Sequence, residues 1–221
     1  MKKILVSIIF LTFLLNLCSA QVGIKAGVNL ATLVFENEEE SFENLSDNSV
    51  TGFLAGVFFP IPISDNFELQ PELLFIQKGN KSSYDLSLLS QKVESRTFYN
   101  YVELPVIAKF IFGPEIARIY VSGGGFAGLS INGKQELETT NTTTNTTTES
   151  VRDFDFSDED ERKRLNYGAS LGAGAKLGKI VVDLRYTIGL NNLLDNDANN
   201  NNDNNLQLMT RGLAASIGIQ F

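Results

Sequence analysis

Eight ionisable side chains stand at alternating positions in segments rich in apolar residues and glycine: Lys25, Glu68, Glu72, Glu103, Lys109, Lys176, Asp183 and Arg185. Four acids and four bases brought together can do one of two things. Carboxylates can exchange protons with a substrate, or along a relay, without any histidine. Matched charges packed in one narrow space instead neutralise each other and fill it. The chain has no His, and its only Cys is Cys18. Imidazole catalysis, His-ligated metal sites and a disulfide framework are therefore excluded from the outset. The spacing favours the filled space, which depends on what elements carry these residues.

The carriers read as strands. From Arg211 to Phe221 one face holds Leu213, Ala215, Ile217, Ile219 and Phe221, and the other Gly212, Ala214, Ser216, Gly218 and Gln220. From Ile180, Val182, Leu184, Tyr186, Ile188 and Leu190 alternate with Asp183, Arg185, Thr187, Gly189 and Asn191. Period two is the signature of a strand, because successive side chains point to opposite faces. Six more segments share it: Val22 to Leu33, Thr51 to Pro62, Phe67 to Lys78, Thr97 to Phe112, Arg118 to Ile131 and Asn166 to Leu177. No useful helical period appears after the first twenty residues.

Ser64-Asp65-Asn66, Gly113-Pro114-Glu115 and Gly178-Lys179 have the composition of tight hairpin turns. Long polar loops are expected at about 34–50, 79–96, 132–165 and 194–205. An even strand count with short turns at one end and long loops at the other predicts an all-β, eight-stranded antiparallel up-and-down transmembrane β-barrel. Both termini then lie on the short-turn, periplasmic side.

Alternation alone also fits a soluble barrel turned inside out, with Leu213, Ile217 and Val182 inside. The opposite face, however, carries Gly23, Gly27, Gly52, Gly56, Gly168, Gly172, Gly174, Gly189, Gly212 and Gly218. Glycine weakens a solvent-facing strand, whereas inside a narrow barrel it leaves room for the few long side chains that fill it. The apolar face is expected to point to lipid.

The first twenty residues read as a cleaved signal peptide. Lys2 and Lys3 precede the apolar run Ile4 to Leu17, and Cys18-Ser19-Ala20 supplies a cleavage site after Ala20. A lipoprotein anchor at Cys18 is disfavoured by bulky Leu17 before it. The barrel domain then occupies 21–221. The formal net charge of −8 argues against nucleic acid, whose phosphates attract basic surfaces. Nothing later in the chain reaches the ~18 apolar residues of a membrane helix, but strands cross a bilayer in ~9–11 residues.

"GIKAGVNLATL", "FELQPELLFIQKGNK", "YVELPVIAKFIF", "DLRYTIGLNNL" and the terminal Phe221 resemble the PorT-like outer-membrane β-barrel proteins of Bacteroidota. Pro71-Glu72 and Glu103-Leu104-Pro105 are the more specific elements; glycine-alternating strands are generic to barrels. The resemblance covers Val22 to Phe221 apart from the loops. It implies outer-membrane insertion by the barrel-assembly machinery, which reads a C-terminal signal at Phe221 with Ile219 and Ile217. The family's named member serves a secretion and gliding apparatus. The family carries no catalytic motif, so no functional residue transfers.

Other motifs have plainer explanations. Gly123 to Gly128 satisfies G-x-G-x-x-G, but Leu129-Ser130-Ile131 and a polar loop follow where a nucleotide fold needs a helix. Asp195, Asp197 and Asn199 begin like a calcium loop, yet Asn200 replaces the required Gly and Leu206 the bidentate Glu. The Asn-x-Thr sites at Asn141 and Asn145, the mixed-charge run from Asp153 and the acidic block from Glu36 to Glu43 read as solvated loops.

The expectation is a non-enzymatic integral outer-membrane barrel, a surface, structural or assembly component, including a secretion-apparatus accessory. It needs no metal and no cofactor. Its partners are outer-membrane lipid, the barrel-assembly machinery and other envelope or secretion proteins. The alternatives are a narrow small-solute channel and a secreted soluble lipocalin-like lipid-binding barrel.

Overall fold

The computed structural model describes residues 21–35, 49–86, 90–114, 116–155, 164–193 and 208–221. The expected signal peptide, the acidic block at 36–43 and the calcium-like run from Asp195 lie outside them. The described chain forms ten antiparallel strands and no helix: β1 (Gly23–Phe35), β2 (Val50–Phe58), β3 (Ile61–Ser64), β4 (Phe67–Leu86), β5 (Gln91–Phe112), β6 (Ala117–Asn141), β7 (Thr146–Asp155), β8 (Leu165–Leu177), β9 (Ile180–Gly189) and β10 (Leu208–Gln220).

Eight of these positions close a ring. β2 and β3 both pair with β4 and act as one wall strand interrupted at Phe59-Pro60. Pro has no N–H to give the ladder, while Phe59 N still donates to Pro71 O at 2.9 Å. From β4 the wall runs through β5, β6, β8, β9 and β10, and β10 pairs with β1 from Gly23↔Gln220 to Phe35↔Leu208. That last pairing leaves no open edge in the wall. The strand count read from the sequence holds for the ring, and β7 is the strand outside it.

Two expected loops differ from the reading. Residues 79–86 and 91–96 continue β4 and β5 in unbroken register, Gly79↔Phe98 to Leu86↔Gln91. Residues 132–141 pair with β7, Asn132↔Asp155 to Asn141↔Thr146. These segments are polar, so they resemble loops by composition. Their Thr, Val and Tyr content suits strands, and cross-strand pairs such as Lys81–Glu94 at 3.2 Å hold them. At the tip, Asn141 Oδ1 accepts the backbone N–H of Thr143 and Thr144, and Asn145 adopts φ 52°.

The apolar face points outward. Val182 is 45% exposed and Ile217 59%, which excludes the inverted soluble arrangement. The outward band has marked edges. Toward the long hairpins, Gln77 donates to Asn100 at 3.1 Å and Asn100 to Asn132 at 2.7 Å, a polar row across three strands. Toward the short turns, Phe110 and Phe112 meet edge to face with centroids 4.9 Å apart. Between them β5 shows Val102, Leu104 and Val106, a height suited to the ~25 Å apolar belt of such barrels.

Inside, glycine serves the packing expected of it. A Cβ on Gly174 would lie 2.4 Å from the Tyr120 ring, and one on Gly168 2.8 Å from Phe126. Gly23 similarly faces Phe58. The lumen is more apolar than the alternation suggests, because Leu54, Leu74, Ile76, Ile107 and Ile111 also point into it.

Candidate functional site in the barrel lumen

Alternation sends one side chain in two inward, so charges far apart in sequence meet on the barrel axis. Glu72 of β4 is their hub. Its Oε2 lies 2.7 Å from Lys25 Nζ of β1. The Arg185 guanidinium of β9 donates to both carboxylate oxygens, each at 3.0 Å. Arg185 Nη2 is also 3.2 Å from Asp183 Oδ1, and Tyr120 donates to Asp183 Oδ2 at 2.9 Å.

The network continues toward the short turns. Gln70 donates to Glu72 Oε1 at 2.6 Å and accepts from Lys109 Nζ at 2.5 Å. Lys109 lies 3.5 Å from Glu68 and 4.3 Å above the Tyr120 ring. Toward the long hairpins, Lys78 pairs with Glu103 at 2.6 Å and stands 4.6 Å over the Phe126 ring. Buried charges are tolerable only when each finds several partners, and Glu72 has three.

Seven of the eight expected lumen charges are brought together: Lys25, Glu68, Glu72, Glu103, Lys109, Asp183 and Arg185 are all buried. Lys176 is not among them. It sits half-buried at the short-turn mouth, near Glu68, Lys109 and Arg118, and ion-pairs with no described residue. It lies two residues before Gly178, where β8 has already reached the rim. Lys78 takes its place as the fourth base. Gln70 and Lys78 share the even-numbered face of Glu68 and Glu72, so strict period two locates them; Leu74 and Ile76 interrupt the polar run and hide it. Tyr120 looks like one more apolar strand residue until Gly174 is seen to leave it room.

Two apolar clusters pack among the charges. Phe58, Ile111, Tyr120 and Val181 cluster toward the short turns. Leu54, Ile76, Tyr99, Tyr101 and Ala214 cluster toward the long hairpins. The void bordered by Lys25, Glu103, Ser170, Asp183 and Arg185 measures about 20 Å³, room for about one water. The carboxylates bordering it, Glu103 and Asp183, are engaged with Lys78 and Arg185. Among the described residues no group of acidic side chains is placed to hold a metal ion.

The remaining expected sites are simply placed. Phe221, Ile219 and Ile217 face outward at 59%, 47% and 59% exposure, and Phe221 N donates to Val22 O at 2.8 Å. The glycine motif Gly123 to Gly128 lies inside β6, paired on both sides, with no helix after it.

A closed ring, an apolar exterior and a charged interior together describe a barrel built for lipid. Residues 18–195 match the outer membrane protein beta-barrel domain family. The chain belongs to that family. The match stops before β10, the strand that closes this outer-membrane barrel against β1. Among solved structures the chain is similar to the attachment invasion locus protein Ail of Yersinia pestis, in complex with a heparin analogue (12% identity, 91% of this chain and 99% of that one, TM-score 0.42). It is similar to Neisserial surface protein A (11% identity, 90% and 97%, TM-score 0.44). It is also similar to the outer membrane enzyme PagL (11% identity, 88% and 98%, TM-score 0.38). No curated protein matches the chain.

Proposed function

We propose that this outer-membrane barrel is a non-enzymatic wall component that neither conducts nor catalyses, and that it works through the hairpins rising from its long-loop end. The supporting observation is the lumen: the charges around Glu72 are paired with one another, with apolar clusters packed among them and little space left between. A channel needs a continuous polar path, and a catalyst needs a free acid or base beside a cleft. The paired charges around Glu72 and the small void beside them favour neither. In this reading both termini are periplasmic and β4–β7 extend from the cell surface. Insertion is by the barrel-assembly machinery, through Phe221 and its strand.

The Pro71-Glu72 and Glu103-Leu104-Pro105 motifs support a narrower place among PorT-like barrels, as an accessory of an envelope or secretion assembly. Co-purification from outer membranes tests both levels. Wild type and a variant with shortened hairpins at 79–96 and 132–155 are crosslinked and captured in parallel. Loss of the same envelope proteins on shortening is the expected result. An unchanged set of partners would remove the hairpins from the account.

A further inference from the structure

β7 (Thr146–Asp155) is a strand with one neighbour. It pairs with β6 from Asn132↔Asp155 to Asn141↔Thr146, above the stretch of β6 that β8 occupies from Ala117 to Leu129. Among the described residues nothing pairs with its other side. Proteins ordinarily blunt such edges with charged side chains, above all Lys, with Pro, a bulge or a covering segment. Thr146 to Asp155 contains no Pro, Lys or Gly, its charges are Glu149, Arg152, Asp153 and Asp155, its pairing with β6 runs without a register shift, and its described side chains are exposed.

The charge on this edge is unfinished. Register sets Glu94, Glu138 and Glu149 side by side across β5, β6 and β7. Like charges directly opposite destabilise a sheet. Glu94 is compensated by Lys81 at 3.2 Å and Arg96 at 2.5 Å. No ion pair to a described base compensates Glu138 or Glu149. A cation on a strand added beyond β7 would stand opposite Glu149 and complete the row. The neighbouring row ends on Val151, opposite Glu136, so an apolar or β-branched residue suits the next position on that face.

We propose that the free edge of β7 is a docking site for an extended, basic segment of another protein, which adds to the sheet as an antiparallel strand with Lys or Arg opposite Glu149. A second copy of this chain is a poor occupant. Copies in one membrane are related by rotation about the membrane normal, so both β7 strands descend in the same sense and meet parallel, the weaker arrangement. The proposal rests on the outward-working reading above and names its partner chemistry.

The test is amide hydrogen exchange on the full chain in lipid nanodiscs. The probe is a synthetic peptide as long as β7, 10 residues, alternating Lys with Thr or Val. A Glu-for-Lys peptide and a proline-interrupted peptide serve as controls. In the free chain the β7 amides turned away from β6 should exchange fast. The lysine peptide should slow them, the proline peptide should not, and the glutamate peptide should bind about three- to tenfold more weakly. Glu149→Arg, an exposed change, should reverse that preference. Two results would overturn the proposal: no slowing by saturating lysine peptide, or outward β7 amides already as protected as those of β6 in the free chain, meaning the edge is occupied. Conductance of the same preparation reports on the lumen separately, so a failed docking site and a failed closed-wall reading are told apart.

Discussion

Arg185 of β9 and Glu72 of β4 are joined by two hydrogen bonds of 3.0 Å across the barrel axis, between strands that share no backbone ladder. The pair therefore ties opposite walls together. Removing one partner leaves buried charge unmatched, which costs far more than the pair itself contributes. Glu72→Gln strands both Arg185 and Lys25, and should destabilise the barrel by about 3–5 kcal/mol in urea unfolding from detergent. Replacing both partners, Glu72→Leu with Arg185→Met, should cost less than the two single changes summed. A strictly additive double mutant would show that the two residues are not coupled.

Space at the inner glycines is the second testable feature. Gly174→Ala would place a methyl against Tyr120 and Val182 O, at 2.4 and 2.2 Å. Overpacking of that kind costs about 1–3 kcal/mol. Gly125 lies on the outward face of β6, where a Cβ would meet only Gly168 O, at 3.5 Å, an ordinary contact. Gly125→Ala should therefore unfold at nearly the wild-type urea concentration, and Gly174→Ala well below it.

The outward face separates a lipid-facing barrel from a water-facing one by mutation. Val106 is 48% exposed near the middle of the apolar band. Val106→Arg should cost about 2–4 kcal/mol in lipid vesicles, as for a cation near the bilayer midplane. On a water-facing strand the same change would be nearly neutral. Folding yield into vesicles, read from the unboiled gel position, distinguishes the two.

The surface hairpin should respond to acid through Glu94. Burial opposes the charge of its carboxyl, but hydrogen bonds and attraction from Lys81 and Arg96 prevail and hold it below the ordinary carboxylate range. A folded value below the unfolded one stabilises the hairpin fully above about pH 4.3, and this contribution is lost as pH falls through the lower folded value. Exchange protection at 81–86 and 91–96 should therefore decline in acid. Glu94→Gln should lower that protection at neutral pH and flatten the decline.

Much of this molecule can be read from alternation alone. A period of two fixes which residues share a face, and ring closure then forces Lys25, Glu72 and Asp183 toward one axis although they are far apart in sequence. Composition misleads at the margins. The stretch 132–155 is polar enough to resemble a loop, and only the register of Glu138 with Glu149 reveals a strand there. Lys78 and Lys176 exchange roles for a positional reason: alternation gives the face of a residue, not its height along the barrel. Lys78 sits at the level of Glu103, whereas Lys176 has run out to the mouth.

The central claim is that the lumen is closed by its own side chains, and planar-bilayer conductance tests it most directly. The full chain, refolded and inserted at neutral pH, should show no stable conductance steps, while Glu72→Ala, which opens the hub, should give small flickering currents if it still folds. Steady, ion-selective steps from the wild-type protein would contradict the account.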